Sequence, residues 1–227
     1  MQYSILLYGP SKVGKSTFAS QADKAIFLAS EPGLNALSVF KVDISSWPEL
    51  LAACKALDTE DHDYKTIVLD TIDNLYEFCL DHVCAGLKDK DGQHTITHPT
   101  DLGYGKGWSA VNMEFKRVLT KLAAMPQGLI LISHSKPQVI ETKTGEYTKT
   151  IPSTGGSKIV LGLMDMVLMT EVESTKTKDG IKHRRIIHTK PTATYDAGDR
   201  TGRLPEEIPL DYPAFTKAFT KATKGTK

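Results

Sequence analysis

Cysteine is scarce in this chain: Cys54, Cys79 and Cys84 are the only three in 227 residues. Three is too few, and odd in number, for a disulfide framework, so a reducing, cytoplasmic setting is expected. No run of eighteen apolar residues occurs, which excludes a helical membrane span and removes the membrane as an expected partner. The opening stretch Met1–Tyr8 has neither a basic flank nor a small-residue cleavage site, so a secretory signal is not expected. No internal repeat, low-complexity tract or evident linker divides the chain. What is present is 40% apolar and 24% charged residues, enough to build the core of one ordinary domain and too much apolar matter for global disorder.

Arginine is absent from the first hundred residues, which carry 8 Lys against 14 Asp and Glu, a net of −6. The remaining residues carry 20 Lys and Arg, all five arginines among them, against 13 acids, a net of +7. A formal charge of +1 therefore hides a polar asymmetry, which permits a polyanion-binding face in the second half.

Short apolar runs alternate with amphipathic stretches. Tyr3–Tyr8, Ala25–Ala29, Thr66–Leu69 and Leu129–Ile132 suit buried parallel strands. Helical patterns lie near Lys15–Gln21, Pro48–Leu57, Ile72–Cys84 and Trp108–Ala124. This alternation predicts an α/β fold, a mostly parallel sheet with helices on both faces. Beyond Ile132 the rhythm changes. Val139–Ile151, around Lys143-Thr144-Gly145-Glu146, reads as a polar hairpin or mobile loop. Asp165–Val172 and Ile181–Thr189 flank Lys178-Asp179-Gly180, an antiparallel hairpin signal in the C-terminal part of the chain. Lys88–Asp101 reads as an insertion loop, and Lys217–Lys227 as a frayed basic tail.

One motif stands out. Gly9-Pro10-Ser11-Lys12-Val13-Gly14-Lys15-Ser16 fits G-x-x-x-x-G-K-[ST] directly after a predicted strand and at the start of a predicted helix. Glycines let backbone N–H groups curl around a phosphate without Cβ clashes, and the helix start adds partial positive charge. Lys15 supplies a point charge for the β- and γ-phosphates of ATP, and the Ser16 hydroxyl, followed by Thr17, suits Mg²⁺. A strand ending in a carboxylate, Thr66-Ile67-Val68-Leu69-Asp70, offers a second group for the Mg²⁺ hydration shell. Asp73 is the rival, but it lies past the strand end.

Hydrolysis needs a carboxylate that orients water. Glu31 closes the second predicted strand, and strand tips of a parallel sheet converge on one crevice, where Glu31, Lys15 and Asp70 are expected to meet. A Glu immediately after Asp70 would suggest a standard AAA+ motor, but Thr71 stands there.

These residues resemble the RecA-like recombinase core, in which the catalytic glutamate follows the second strand. The stretch through Val42-Asp43-Ile44 is similar too. The resemblance implies a polar sensor of the γ-phosphate at the end of the fourth strand, Leu129–His134, where His134 matches by position. Ser153-Thr154-Gly155-Gly156-Ser157-Lys158 resembles the end of a second DNA-binding loop. A closer resemblance, on Asp70–Leu75, Gly103–Trp108, Ile132–Lys136 and Asp199–Pro205, is to minimal RecA-like single-strand annealing proteins of bacteriophages and related phage AAA-domain ATP-binding proteins. It implies a bare ATPase core over residues 1–212 with DNA-binding loops at 135–158, then a C-terminal helix and basic tail at 213–227.

Further implications follow from that resemblance. Single-stranded DNA is the expected partner, contacted by Lys136, Lys143, Lys149 and Lys158, with Tyr147 able to stack on a base; such stacking contributes about 1–3 kcal/mol per base. Lys182, His183, Arg184 and Arg185 form another basic cluster, read as a solvated strand edge. ATP would sit between protomers of a ring or filament, with a cation given in trans by Lys190, Arg200 or Arg203. A phage single-stranded-DNA-binding protein is a further expected partner, and the setting is the cytoplasm of a bacterial host. Cys79, His82, Cys84, His94 and His98 cluster in sequence without a zinc-ligand spacing; buried thiols and loop histidines explain them. The expected function is DNA-stimulated ATP hydrolysis that drives strand annealing or exchange in phage recombination or replication. Alternatives are an ATP-switched interaction module of phage replication that does not touch DNA, and a small P-loop kinase.

Overall fold

The computed structural model describes residues 3–223 apart from Thr144 and Asp179. Those two positions, inside the turn signals Lys143–Glu146 and Lys178–Gly180, and the last four residues of the expected tail lie outside the described residues.

The chain begins with β1 (Ser4–Gly9), α1 (Lys15–Ser20) and β2 (Ala25–Ala29), followed by β3 (Phe40–Asp43), α2 (Trp47–Thr59), β4 (Thr66–Asp70) and α3 (Ile72–Ala85). A 3₁₀ turn at Pro99–Leu102 leads into α4 (Lys106–Ala123), β5 (Gly128–Thr142) and β6 (Gly145–Pro152). Then come α5 (Ser157–Leu163), β7 (Met166–Thr177), β8 (Gly180–His188), β9 (Gly198–Asp199), β10 (Glu207–Pro209) and α6 (Tyr212–Thr223). Among the described residues one sheet runs β10-β8-β7-β1-β5-β4-β2-β3, with β6 on β5 and β9 on β7. β3, β2, β4, β5, β1 and β7 are mutually parallel, while β8, β9, β10 and β6 pair antiparallel.

The four apolar runs form the middle of this sheet because each is buried on both faces. Alternate residues feed two cores. Leu6, Leu28, Leu69 and Leu131 pack with Trp47, Tyr76 and Phe115 of α2, α3 and α4 on one face. Leu7, Phe27, Val68 and Ile132 pack with Phe18 of α1 and Phe215 and Phe219 of α6 on the other. The C-terminal segment expected as a frayed tail is thus helical to Thr223, because Phe215 and Phe219 recur four residues apart and both bury against the sheet.

The fourth parallel run does not stop at His134. β5 continues to Thr142, and its outer half pairs antiparallel with β6 from Ser135–Pro152 to Thr142–Gly145. β6 satisfies the backbone groups that β1 and β4 no longer reach, so a polar stretch remains a strand. β7 and β8 likewise extend beyond β1 as a second two-stranded ribbon, out to Thr177 and Gly180. No helix among the described residues is long and apolar enough to cross a membrane.

Candidate nucleotide site

β1 delivers the chain to Gly9 with every residue buried. A Cβ on Gly9 would stand 2.2 Å from Thr170 Oγ1 and 2.3 Å from the Thr170 carbonyl oxygen, so only glycine fits beside β7. The loop then turns through two left-handed residues, Lys12 (φ 63°) and Gly14 (φ 113°), and Gly14 precedes the first residue of α1. Lys15 is buried at the base of the loop, its Nζ donating to the Gly9 carbonyl at 2.9 Å and the Pro10 carbonyl at 2.7 Å. Burial pushes its pKa down, while Asp70, Asp73 and Glu31 pull it back up.

The Ser16 hydroxyl donates to Asp70 Oδ2 at 2.7 Å. Asp70, at the buried tip of β4, has its carboxyl pushed above the usual range by burial; the Ser16 hydrogen bond opposes that shift and the nearby Glu31 charge adds to it. The Asp70–Thr71 peptide is cis. Ser30 stitches this tip to β2: its N–H donates to the Asp70 carbonyl, its hydroxyl donates to the Thr71 carbonyl, and Thr71 N–H donates to that hydroxyl. Asn74 Nδ2 closes the clasp on the Ser30 carbonyl at 3.1 Å. The following residue, Glu31, is thereby fixed at the mouth of the crevice.

His134 faces it from β5. Nδ1 is 3.1 Å from the Ser11 hydroxyl of the loop, and Nε2 is 3.4 Å from Glu31 Oε1, within ion-pair reach but long for a hydrogen bond. Asp73 holds this strand from behind, accepting from the Ser133 hydroxyl at 2.6 Å and from His134 N–H at 2.7 Å. A crevice of about 460 Å³ results, lined by Ser11, Lys12, Gly14, Lys15, Ser16, Thr17, Glu31, Asp70, Thr71 and His134. Two larger grooves, of about 590 Å³ between β3 and α2 and about 710 Å³ between β10 and α6, gather no comparable set of ammonium, hydroxyl and carboxylates.

The residues fit a magnesium-bound nucleoside triphosphate. Lys15 suits the phosphates, Ser16 and Asp70 suit the metal and its waters, and Thr71, whose buried hydroxyl has no partner among the described residues, lines the same crevice. Pro10 and Val13 shape the loop, Val13 with its side chain in the interior.

The structure brings Lys15, Ser16, Asp70, Glu31 and His134 together but leaves the expected trans cations outside their own chain's crevice. Lys190 follows β8, whose last residue His188 pairs with Met169 beside Tyr8, so the chain is already heading away from the loop. Arg200 donates to the Gly162 carbonyl, near Asp199, which pairs with Met166 opposite Ile5 at the far end of β1. Arg203 lies over the Phe219 ring at 5.1 Å. Of the expected DNA contacts, Lys136 donates to the Ser153 carbonyl, Lys143 is exposed at the end of the hairpin, and Lys158 is on α5. Tyr147 is 39% exposed on β6. Lys149 is ion-paired with Asp196 at 2.7 Å, so its charge is locally matched.

Gly155 and Gly156 answer to packing: a Cβ would meet the Tyr76 ring at 2.2 Å and the Phe115 ring at 2.5 Å. Cys79 and Cys84 are buried in the helical core, burial pushing the Cys79 thiol up to about 12. His94 pairs with Asp89 and His98 caps the 3₁₀ turn. Sequence reasoning gave no role to Ser30, Asn74 or Ser133 and weighed Asp73 only as a rival to Asp70 for the metal; in the fold Asp73 bonds Ser133 and His134. The basic cluster at Lys182–Arg185 is exposed on β8, outside the stretch Ile186–His188 that β10 covers, and Arg185 Nη1 comes within 3.3 Å of where a Gly14 Cβ would stand.

A glycine-rich loop between a buried strand and a helix, with lysine at its base and a serine bonded to a strand-tip aspartate, defines a phosphate-loop nucleotide site. The family model described as AAA domain matches residues 1–201, and the chain belongs to that family of P-loop ATPases. A curated relative, the SPbeta prophage-derived uncharacterized protein YorG of Bacillus subtilis (strain 168), is 26% identical over 137 residues, 58% of this chain. The match spans 40% of that relative's length.

Proposed function

We propose that the chain is a RecA-like ATPase core that binds single-stranded DNA and uses ATP turnover to drive strand annealing or exchange. One observation supports this above others: β5 is a single strand that carries His134 at the nucleotide crevice and, eight residues later, ends in the exposed β5–β6 hairpin. A change felt by His134 at the phosphates is transmitted along a rigid backbone to Tyr147, Lys136 and Lys143.

In this reading Glu31 orients and deprotonates the attacking water. Lys15 leaves the Gly9 and Pro10 carbonyls to meet the phosphates, a short move because both acceptors belong to the same loop. Ser16 and Asp70 would hold Mg²⁺, which would supply charge to offset the phosphates. Ser11 and Glu31 flank His134, so phosphate binding at Ser11 and water orientation at Glu31 are read by one imidazole. Turnover resets the hairpin, and self-assembly, with a cation from a neighbouring copy, completes the site.

The test is fluorescence anisotropy with a labelled single-stranded oligonucleotide, with and without a non-hydrolysable ATP analogue, over a range of salt. Lys136→Ala and Lys143→Ala together weaken binding and lower the salt slope by roughly one to two counterions. Binding that is absent in every nucleotide state favours the protein-interaction module, whose cations are already engaged as Lys149 is by Asp196.

A further inference from the structure

The phosphate loop is approached from a side that its own strand does not supply. Arg185 Nη1 stands 3.3 Å from the position of a Cβ on Gly14, with Leu210 Cδ2 at 3.7 Å from the same point. The fold fixes this approach. Thr170 of β7 abuts Gly9, and Arg185 of β8 pairs with Val172, two residues farther along β7, so it stands just beyond the tip of β1. Its backbone is held by the Leu210 N–H, which donates to the Arg185 carbonyl at 3.0 Å.

The two adjacent arginines are used differently. Successive strand residues point to opposite faces. Arg184 is bound by Glu173 and by Glu207 at 3.2 Å. No acid pairs with Arg185 among the described residues, although its side chain is exposed and its Nη1 stands beside a loop built to hold an anion, 3.3 Å from where a Gly14 Cβ would be. The loop's own ammonium is partly engaged, since Lys15 donates to two carbonyls. A guanidinium is permanently charged and presents a planar fork of donors that matches phosphate oxygens.

We propose that Arg185 is a cation delivered in cis from β8 that binds the phosphate oxygens of the nucleotide held by the Gly9–Ser16 loop. This rests on the reading of that loop as the ATP site. Gly14 then serves two purposes: it adopts a left-handed φ of 113°, and its missing Cβ keeps a gap through which the guanidinium reaches the loop.

The experiment is calorimetric titration of Mg·ATP and Mg·ADP into the full chain and into Arg185→Ala, Arg185→Lys and Lys15→Ala, with the melting temperature of each nucleotide-free protein measured alongside. Arg185→Ala is expected to weaken ATP roughly tenfold or more while its nucleotide-free melting temperature stays at that of the parent. Arg185→Lys recovers part of the affinity, because a point charge cannot make the paired contact. An Arg185→Ala affinity within twofold of the parent, while Lys15→Ala abolishes binding, overturns the assignment and leaves the ATP site standing. A lowered nucleotide-free melting temperature with unchanged affinity also overturns it, making Arg185 a brace for Gly14. A parent chain that binds neither nucleotide removes the site itself, and the assignment with it.

Discussion

The Nε2 atom of His134 lies 3.4 Å from Glu31 Oε1, across the mouth of the phosphate-loop crevice. The same ring touches Ser11 of the loop through Nδ1 at 3.1 Å, and its backbone N–H is tied to Asp73. One residue therefore meets the loop that would hold the phosphates, the carboxylate that would orient water, and the strand that leads to the exposed hairpin.

Glu31→Gln keeps the shape and removes the base. Turnover is expected to fall roughly 100-fold or more, with ATP affinity changed by no more than a few-fold. Single-turnover hydrolysis beside equilibrium binding separates the two quantities. Undiminished hydrolysis would move the water-orienting group away from Glu31.

Asp73→Ala leaves the His134 N–H without its acceptor and the Ser133 hydroxyl with the His134 carbonyl alone. The cost is about 1–3 kcal/mol, equivalent to roughly 2–4 °C of Tm for each kcal/mol in a domain of this size. DNA stimulation of turnover should fall as well, because the imidazole loses its anchor. A variant that melts normally and responds fully to DNA would show that Asp73 does not position the strand.

Asp70 gives a pH-dependent signature. Burial raises its carboxyl above the ordinary value of about 3.9, so the ionised form costs folding free energy. That cost is absent below the unfolded value and grows as pH rises through the folded one. Asp70→Asn removes it and preserves a group that can bond Ser16. In nucleotide-free protein, urea melts should therefore show Asp70→Asn gaining stability over the parent as pH rises from 4 to 8, while Mg²⁺-dependent ATP binding is lost. A variant less stable than the parent at pH 8 and equal to it at pH 4 would reverse the sign and refute the argument.

Much of this was legible in the sequence because it is local. The phosphate loop is a spacing rule, and the strands carrying Leu6, Leu28, Leu69 and Leu131 are apolar runs buried on both faces. The extent of β5 was not legible: Ser135–Thr142 is polar, and it stays extended only because β6 pairs with it. The tasks of Ser30, Asp73 and Asn74 were hidden for the same reason, since each is defined by a partner on another strand. Gly155 and Gly156 read by resemblance as the end of a DNA-binding loop, whereas the packing that requires them, the rings of Tyr76 and Phe115, comes from other helices and was not legible. Arg185 looked like one of four basic residues on an edge strand, and only the course of β8 past β1 brings it to Gly14.

The most direct test is the steady-state ATPase rate of the intact chain with and without single-stranded DNA, repeated with His134→Ala. Coupling through β5 predicts a rate that rises with single-stranded DNA in the parent and does not respond in the variant. A parent rate indifferent to DNA at low salt, where phosphate contacts are strongest, would contradict the proposed link between the crevice and the hairpin.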